Sequence, residues 1–255
     1  MNQSMTSRLL NSFTNNSLIL KWVMVALAGF CFLWSFQLFI AGNAYYSVKN
    51  DIEGWQLSPE KASINRIDRG LGKIGNAIDY FPDNALYYQI QGQLFEWKAL
   101  VEKRSKESND AELSLKSTKA NLNNAALSYE KSLLLRPTWS GSWIGLASVK
   151  LQQGELDNEF YHYLKNAKQA GPQDAIVHKF IVEYGLDMFA ARSVHYVKVK
   201  DLLKRHLDLG IQNPLSRNFV LEAIQKHSAE EVVCRWLNTS SYPVKKRIPN
   251  CVTYD

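Results

Sequence analysis

Only three cysteines occur among the 255 residues, and none belongs to a CxxC pair. That excludes the common zinc ribbons and fingers, which need closely spaced thiolates or a nearby histidine pair. The five histidines (His162, His178, His195, His206 and His227) form no HExxH or other short ligand pair, so no metal is expected. A GxSxG elbow and a phosphate loop are both missing. No run alternates apolar and polar residues in the manner of a strand, which points to an all-α chain. Acid is absent from the whole stretch before Lys49, and charge of either sign is absent from Trp22 to Gly42.

That uncharged stretch is the first positive signal. Ser35 and Gln37 are its only polar members. A helix of that length is roughly 30 Å long, about the thickness of a bilayer's hydrocarbon core. Arg8 and Lys21 precede it, whereas Lys49, Asp51 and Glu53 follow and nearly cancel. Positive charge stays on the cytoplasmic side, so residues 1–21 are expected as a polar, mobile cytoplasmic tail and residues 43–255 as the outer part. Ala41-Gly42-Asn43-Ala44 resembles a signal-cleavage site, but the apolar run exceeds a typical signal core of about 7–15 residues. An uncleaved anchor over 22–42 is the favoured reading. Residues 43–57 read as a juxtamembrane linker or as a continuation of that helix.

Cysteine placement agrees. Cys31 lies mid-span as a small packing residue, while Cys234 and Cys251 lie near the end of the outer part. In an oxidising compartment such a pair is expected as a disulfide; two free thiols is the alternative. Net charge is +6, and without Arg8 and Lys21 the outer part keeps a surplus of four positive charges. So mild an excess, without a basic stripe, argues against nucleic acid as a partner.

The outer part carries two matching windows 55 residues apart, anchored on Pro82 and Pro137. Each proline is followed by an aromatic (Tyr88, Trp143) and then a tiny residue (Gly92, Ala147). Each is preceded by a small residue (Ala77, Ser132), a bulky one (Ile74, Tyr129) and another tiny one (Gly70, Ala125). These offsets match the tetratricopeptide pattern of paired antiparallel helices. Tiny residues let helices approach, the aromatic fills the gap, and proline ends one helix before the next. The 34-residue period is restored from Tyr129 to Tyr163 and from Pro137 to Gly171. The polar stretch 101–112 marks an insertion of about 21 residues, taken up by longer helices or a mobile loop. Eight or nine helices are expected over 58–255: a tetratricopeptide-like solenoid at 58–227, then a cap with the disulfide at 228–255. Ser58-Pro59-Glu60 reads as a helix start, Asp83 and Asp157 as caps, Gly154 as a turn, and Ser228-x-x-Glu231 as a capping box.

Several motifs have two readings. Gly70-Leu71-Gly72-Lys73-Ile74-Gly75 matches GxGxxG, but it sits inside a helical stretch, so packing is preferred and no cofactor is expected. Glu155, Asp157 and Glu159 could act as paired carboxylates, yet capping and the helix dipole explain them. Trp139, beside Ser140 and Gly141, is the candidate carbohydrate contact. Lys245-Lys246-Arg247 reads as a solvated basic loop, with acidic lipid or polysaccharide as the alternative.

The order of several blocks resembles the VpsP-type exopolysaccharide biosynthesis proteins of Gram-negative marine bacteria. The blocks are an N-terminal span, GQLFEWKA (92–99), ALSYEKSLLLRPTWSGSW (126–143), GELDNEF (154–160), AGPQDAIV (170–177) and a cysteine near the end. The likeness implies an inner-membrane-anchored periplasmic protein serving polysaccharide assembly or export, with no catalytic residues to carry over. The expected function is a non-enzymatic scaffold that binds proteins of the polymer machinery. Its candidate partner face, on the first helix of each pair, is Tyr87, Gln91, Lys98, Ser140, Ile144 and Ser148. The alternatives are a scaffold for another envelope machine (pilus, secretion or cytochrome assembly) and a direct carbohydrate-binding module.

Overall fold

A computed structural model describes residues 3–105 and 111–251, and every regular element among them is helical. The chain is all-α with a single apolar N-terminal helix. That helix, α1 (Gln3–Leu57), runs without a break. Its stretch from Leu20 is long and apolar enough to cross a membrane. Trp22, Phe32 and Phe39 are 68%, 70% and 68% exposed, and burial begins only at Ala41. The N-terminal residues from Gln3, expected as a mobile tail, are the opening turns of α1. Residues 43–57 are its last turns and belong to the core, since Val48, Ile52 and Trp55 are buried.

A 3₁₀ turn (Pro59–Lys61) precedes α2 (Ile64–Tyr80), and α3 (Ala85–Ser105) follows. The helix expected to start at Ser58 starts instead after Ser63. Ala62 turns extended, with φ −71° and ψ 131°, and breaks the run. Asp83 does not cap α3; Asn84 takes the role, its Oδ1 accepting from the Leu86 amide at 3.1 Å. Glycine allows close packing within this first group. A Cβ on Gly70 would stand 3.2 Å from Leu94 Cδ2, which supports the packing reading of the glycine triplet at that position.

α3 pairs with α4 (Ala111–Leu135), α5 (Ser140–Gln153) with α6 (Asn158–Ala170), and α7 (Ala175–Ala190) with α8 (Tyr196–Gln212). Each first helix also touches the first helix of the next group: α1 with α3, α3 with α5, α5 with α7. Stacked helical hairpins produce that contact pattern. α3 and α4 are 21 and 25 residues long, against 14 and 13 for α5 and α6, so longer helices absorb most of the insertion. Its centre, 106–110, lies outside the described residues. Glu102 pins the lengthened hairpin by accepting from Ser117 Oγ and, at 2.9 Å, from Asn121 Nδ2.

Asp157 caps α6 through the Phe160 amide at 3.0 Å, and Gly154 ends α5 with φ 76°. That left-handed conformation is easy only without a side chain. α9 (Arg217–Lys226), α10 (Glu230–Trp236) and α11 (Tyr242–Lys245) close the far end, giving ten α-helices after α1 among the described residues. The Ser228 capping box does not form. Ser228 itself is in the left-handed region at φ 47°, and Ala229 is the residue at the N-cap, with no side-chain bond. Cys234 and Cys251 are disulfide-paired, their Cα atoms 5.5 Å apart, which ties the final segment to α10.

Candidate functional site

The six residues expected to line a partner groove lie on two stripes, one along α3 and one along α5. Their helical spacing does put each set on one face. Those faces are turned largely inward. Tyr87, Ser140 and Ile144 are 6%, 6% and 5% exposed, which removes them as contacts for an outside partner in this conformation. The other three are partly buried and engaged. Gln91 Oε1 accepts from Ser128 Oγ at 3.2 Å, Lys98 pairs with Asp68 at 2.7 Å, and Ser148 donates to Glu96. Small residues explain the difference, because they bring α3, α4 and α5 so close that a groove lining becomes a joint.

Glu96 is the centre of that joint. Tyr129 (α4) donates its hydroxyl to Glu96 Oε1 at 2.5 Å. Ser148 and Gln152 (α5) donate to Oε2, each at 2.5 Å. One carboxyl thus collects donors from two neighbouring helices. Burial raises its pKa to about 7, and the three donors restrain the rise. The Tyr129 hydroxyl is raised too, by burial first and then by the adjacent carboxyl. The Tyr129 ring is cradled by two glycines. A Cβ on Gly92 would lie 2.7 Å from its Cε1, and one on Gly145 2.4 Å from its Cζ. The sequence pattern marks Gly92 and Tyr129 but not Glu96 or Gly145. The available signal was a large buried phenol, whose hydroxyl must find an acceptor.

Further polar links run along the same edge. Trp139 donates Nε1–H to Gln89 Oε1, and the Arg136 guanidinium covers its ring at 4.4 Å. One face of its ring and its polar edge are therefore engaged within the chain. Ser140 Oγ donates to Asp174 Oδ2, which joins α5 to the start of α7. Ser132 and Ser142 share a buried hydrogen bond of 2.8 Å.

The acidic cluster at the α5–α6 turn has an unforeseen centre. Lys150 Nζ lies 2.8, 3.0 and 2.8 Å from Glu155, Asp157 and Glu159. The hydrogen bond that Lys150 donates to Glu155 is the largest of several that raise the Lys150 pKa. Asp157 is lowered, first by the Phe160 amide and then by Lys150. Three carboxylates around one ammonium form a clamp on the turn.

Two histidines are also more than surface residues. His178 and His206 are both fully buried, with Nδ1 atoms 2.8 Å apart. Burial, then the neighbouring His178, push His206 down to about 3, and burial lowers His178 as well. Among the described residues, Glu183, Asp187 and His227 are the group whose ligand atoms could converge on a metal. Lys226 already pairs with Glu183, and His227 Nε2 lies 3.2 Å from Asp187. Those side chains thus already have partners within the protein.

No protein-family model and no curated protein matches this chain.

Proposed function

We propose that this chain is a membrane-anchored, non-enzymatic scaffold of the bacterial envelope. Its helical stack stands on the periplasmic side of the inner membrane and supports exopolysaccharide assembly or export through protein contacts. One observation carries the scaffold reading: α1 passes without interruption from its apolar exposed half into the core of the stack. Trp55, near its end, is 1% exposed and meets Trp97 of α3 edge to face at 5.7 Å. Lys73 Nζ to Ser47 Oγ at 2.9 Å and Arg66 to Asp51 at 3.6 Å fasten α2 to the same helix.

An anchor joined in this way holds the stack at a set height and orientation, where a flexible linker would let it tumble. Tethering raises the local concentration of the stack near membrane partners with no new contact. The polymer assignment rests on the ordered sequence blocks that resemble the VpsP-type proteins. The orientation rests on the basic residues before α1's apolar stretch. The test is surface polysaccharide in a strain deleted for this chain, measured against the complemented strain. Loss restored by complementation supports the reading, and an unchanged amount redirects the scaffold to another envelope machine.

A further inference from the structure

Where the stack meets α1 it leaves a groove of about 710 Å³. Trp34 and Leu38 of α1 form one wall, Phe81 and Asp83 of the α2–α3 turn another, and Leu135 and Arg136 at the end of α4 the third. Its size lies within the range of about 300–1,000 Å³ typical of small-molecule sites. Trp34 meets Phe81 edge to face at 5.9 Å.

Its position on α1 narrows the choice of occupant. Exposed apolar residues run along α1 from Leu20 to Ile40. Trp34 lies six residues before Ile40, about 9 Å along a helix. The wall that α1 contributes therefore belongs to the length that a membrane would cover. The α2–α3 turn, whose Phe81 packs on Trp34, therefore lies against the last turns of that apolar length. Tyr80, 45% exposed, ends α2 beside that turn, and tyrosine favours the membrane–water boundary. The groove is thus continuous with the lipid-facing surface of the anchor.

The polar residues of the groove carry opposite charges. Arg136 and Asp83 are both exposed, and neither forms an ion pair among the described residues. Among the described residues, the Arg136 side chain makes a cation–π contact with Trp139 and no ion pair. A guanidinium suits a phosphate, which it can bind bidentately. A carboxylate suits an ammonium. We propose that this groove binds a phospholipid with an ethanolamine headgroup. Its phosphate meets Arg136, its ammonium meets Asp83, and one acyl chain lies along Trp34 and Leu38. A purely anionic headgroup would satisfy Arg136 and be repelled by Asp83. A choline headgroup cannot donate a hydrogen bond to that carboxylate. The proposal rests on α1 being the membrane anchor.

The test uses the full chain in nanodiscs containing equal amounts of phosphatidylethanolamine, phosphatidylglycerol and phosphatidylcholine with matched oleoyl chains. Native mass spectrometry after release reads the lipid that stays bound. The expected result is a phosphatidylethanolamine adduct several-fold above the others. Arg136→Gln should abolish it, and Asp83→Asn should bring phosphatidylglycerol up to the same level. Both residues are exposed, and circular dichroism checks that each variant keeps its helices. Equal retention of the three lipids, or an adduct pattern unchanged in both variants, overturns the proposal. Alkaline carbonate extraction of cell membranes separates the two claims. A chain that stays in the membrane without lipid preference contradicts the groove assignment alone. A chain that is extracted contradicts the anchor and the groove together.

Discussion

Tyr129 occupies the space that a side chain at Gly145 would need: a Cβ there would stand 2.4 Å from Tyr129 Cζ. The joint between α4 and α5 is built on that fit. Gly145→Ala should therefore destabilise the stack by about 1–3 kcal/mol, because the ring is held by Glu96 and cannot move aside freely. Gly72→Ala is the control. It is also in a helix, yet a Cβ there meets nothing within 4 Å, so a gain of up to about 1 kcal/mol is expected. Urea unfolding of the detergent-solubilised chain, followed by circular dichroism, measures both. A Gly145→Ala variant as stable as the parent would mean that the ring lies elsewhere.

Glu96 makes stability depend on pH in an unusual direction for a carboxyl. Its folded pKa, about 7, lies above its ordinary 4.5, so between those values the folded state holds more protons than the unfolded one. The contribution is fully present below pH 4.5, is lost as pH rises toward 7, and is flat above. Its size is roughly 3 kcal/mol at most. His206 acts oppositely. Its pKa is pushed down to about 3, so stability falls as pH drops below the ordinary histidine value of 6.5. The difference between the parent and Glu96→Gln isolates the first effect. The parent should lose stability relative to the variant between pH 5 and pH 7. Parallel curves over that range would show that Glu96 does not carry the shift.

Trp55 tests whether the anchor and the stack form one folded unit. It is 1% exposed, and its indole Nε1 has no hydrogen-bond partner among the described residues. Trp55→Ala should cost about 3–5 kcal/mol, as for other large buried aromatics. Trp55→Phe should cost much less, since it keeps most of the ring and removes an unpaired donor. Thermal melts of the solubilised chain compare the two. Similar small losses in both would mean that the end of α1 is loosely attached.

The disulfide is expected to matter locally. Cys234 and Cys251 close a loop with a sequence separation of 17. Opening a loop of this size should cost on the order of 3 kcal/mol. Cys251→Ser should raise amide hydrogen exchange in α9–α11, with α3–α6 unchanged. Exchange that rises equally throughout would show that the cap supports the whole stack.

The hairpin arrangement was legible because it is set by spacing. The offsets of Gly70, Ile74, Ala77 and Gly92 from Pro82 recur around Pro137, and steric fit between helices leaves few alternatives for such a pattern. The apolar run was legible for a similar reason, since uncharged length alone identifies it. Helix starts were less so. Ser58, Asp83 and Ser228 all carry capping side chains, but capping also depends on backbone angles that Ala62, Asn84 and Ala229 decide. Glu96 was hidden because one acid in a polar helical stripe looks like any solvated carboxylate. Only the third dimension brings Tyr129, Ser148 and Gln152 to it. The same closeness buries Tyr87, Ser140 and Ile144, whose identities alone do not tell a groove from a joint.

The central claim is that the stack works in polymer production while fixed to the membrane by α1. The most direct measurement is surface polysaccharide in the deletion strain carrying either the full chain or residues 43–255 behind a cleavable signal, at matched protein levels. The account predicts that the full chain restores the polymer and the released stack does not. Full restoration by the released stack would contradict the anchored scaffold, and polymer that never depended on the chain would contradict its role in polysaccharide assembly.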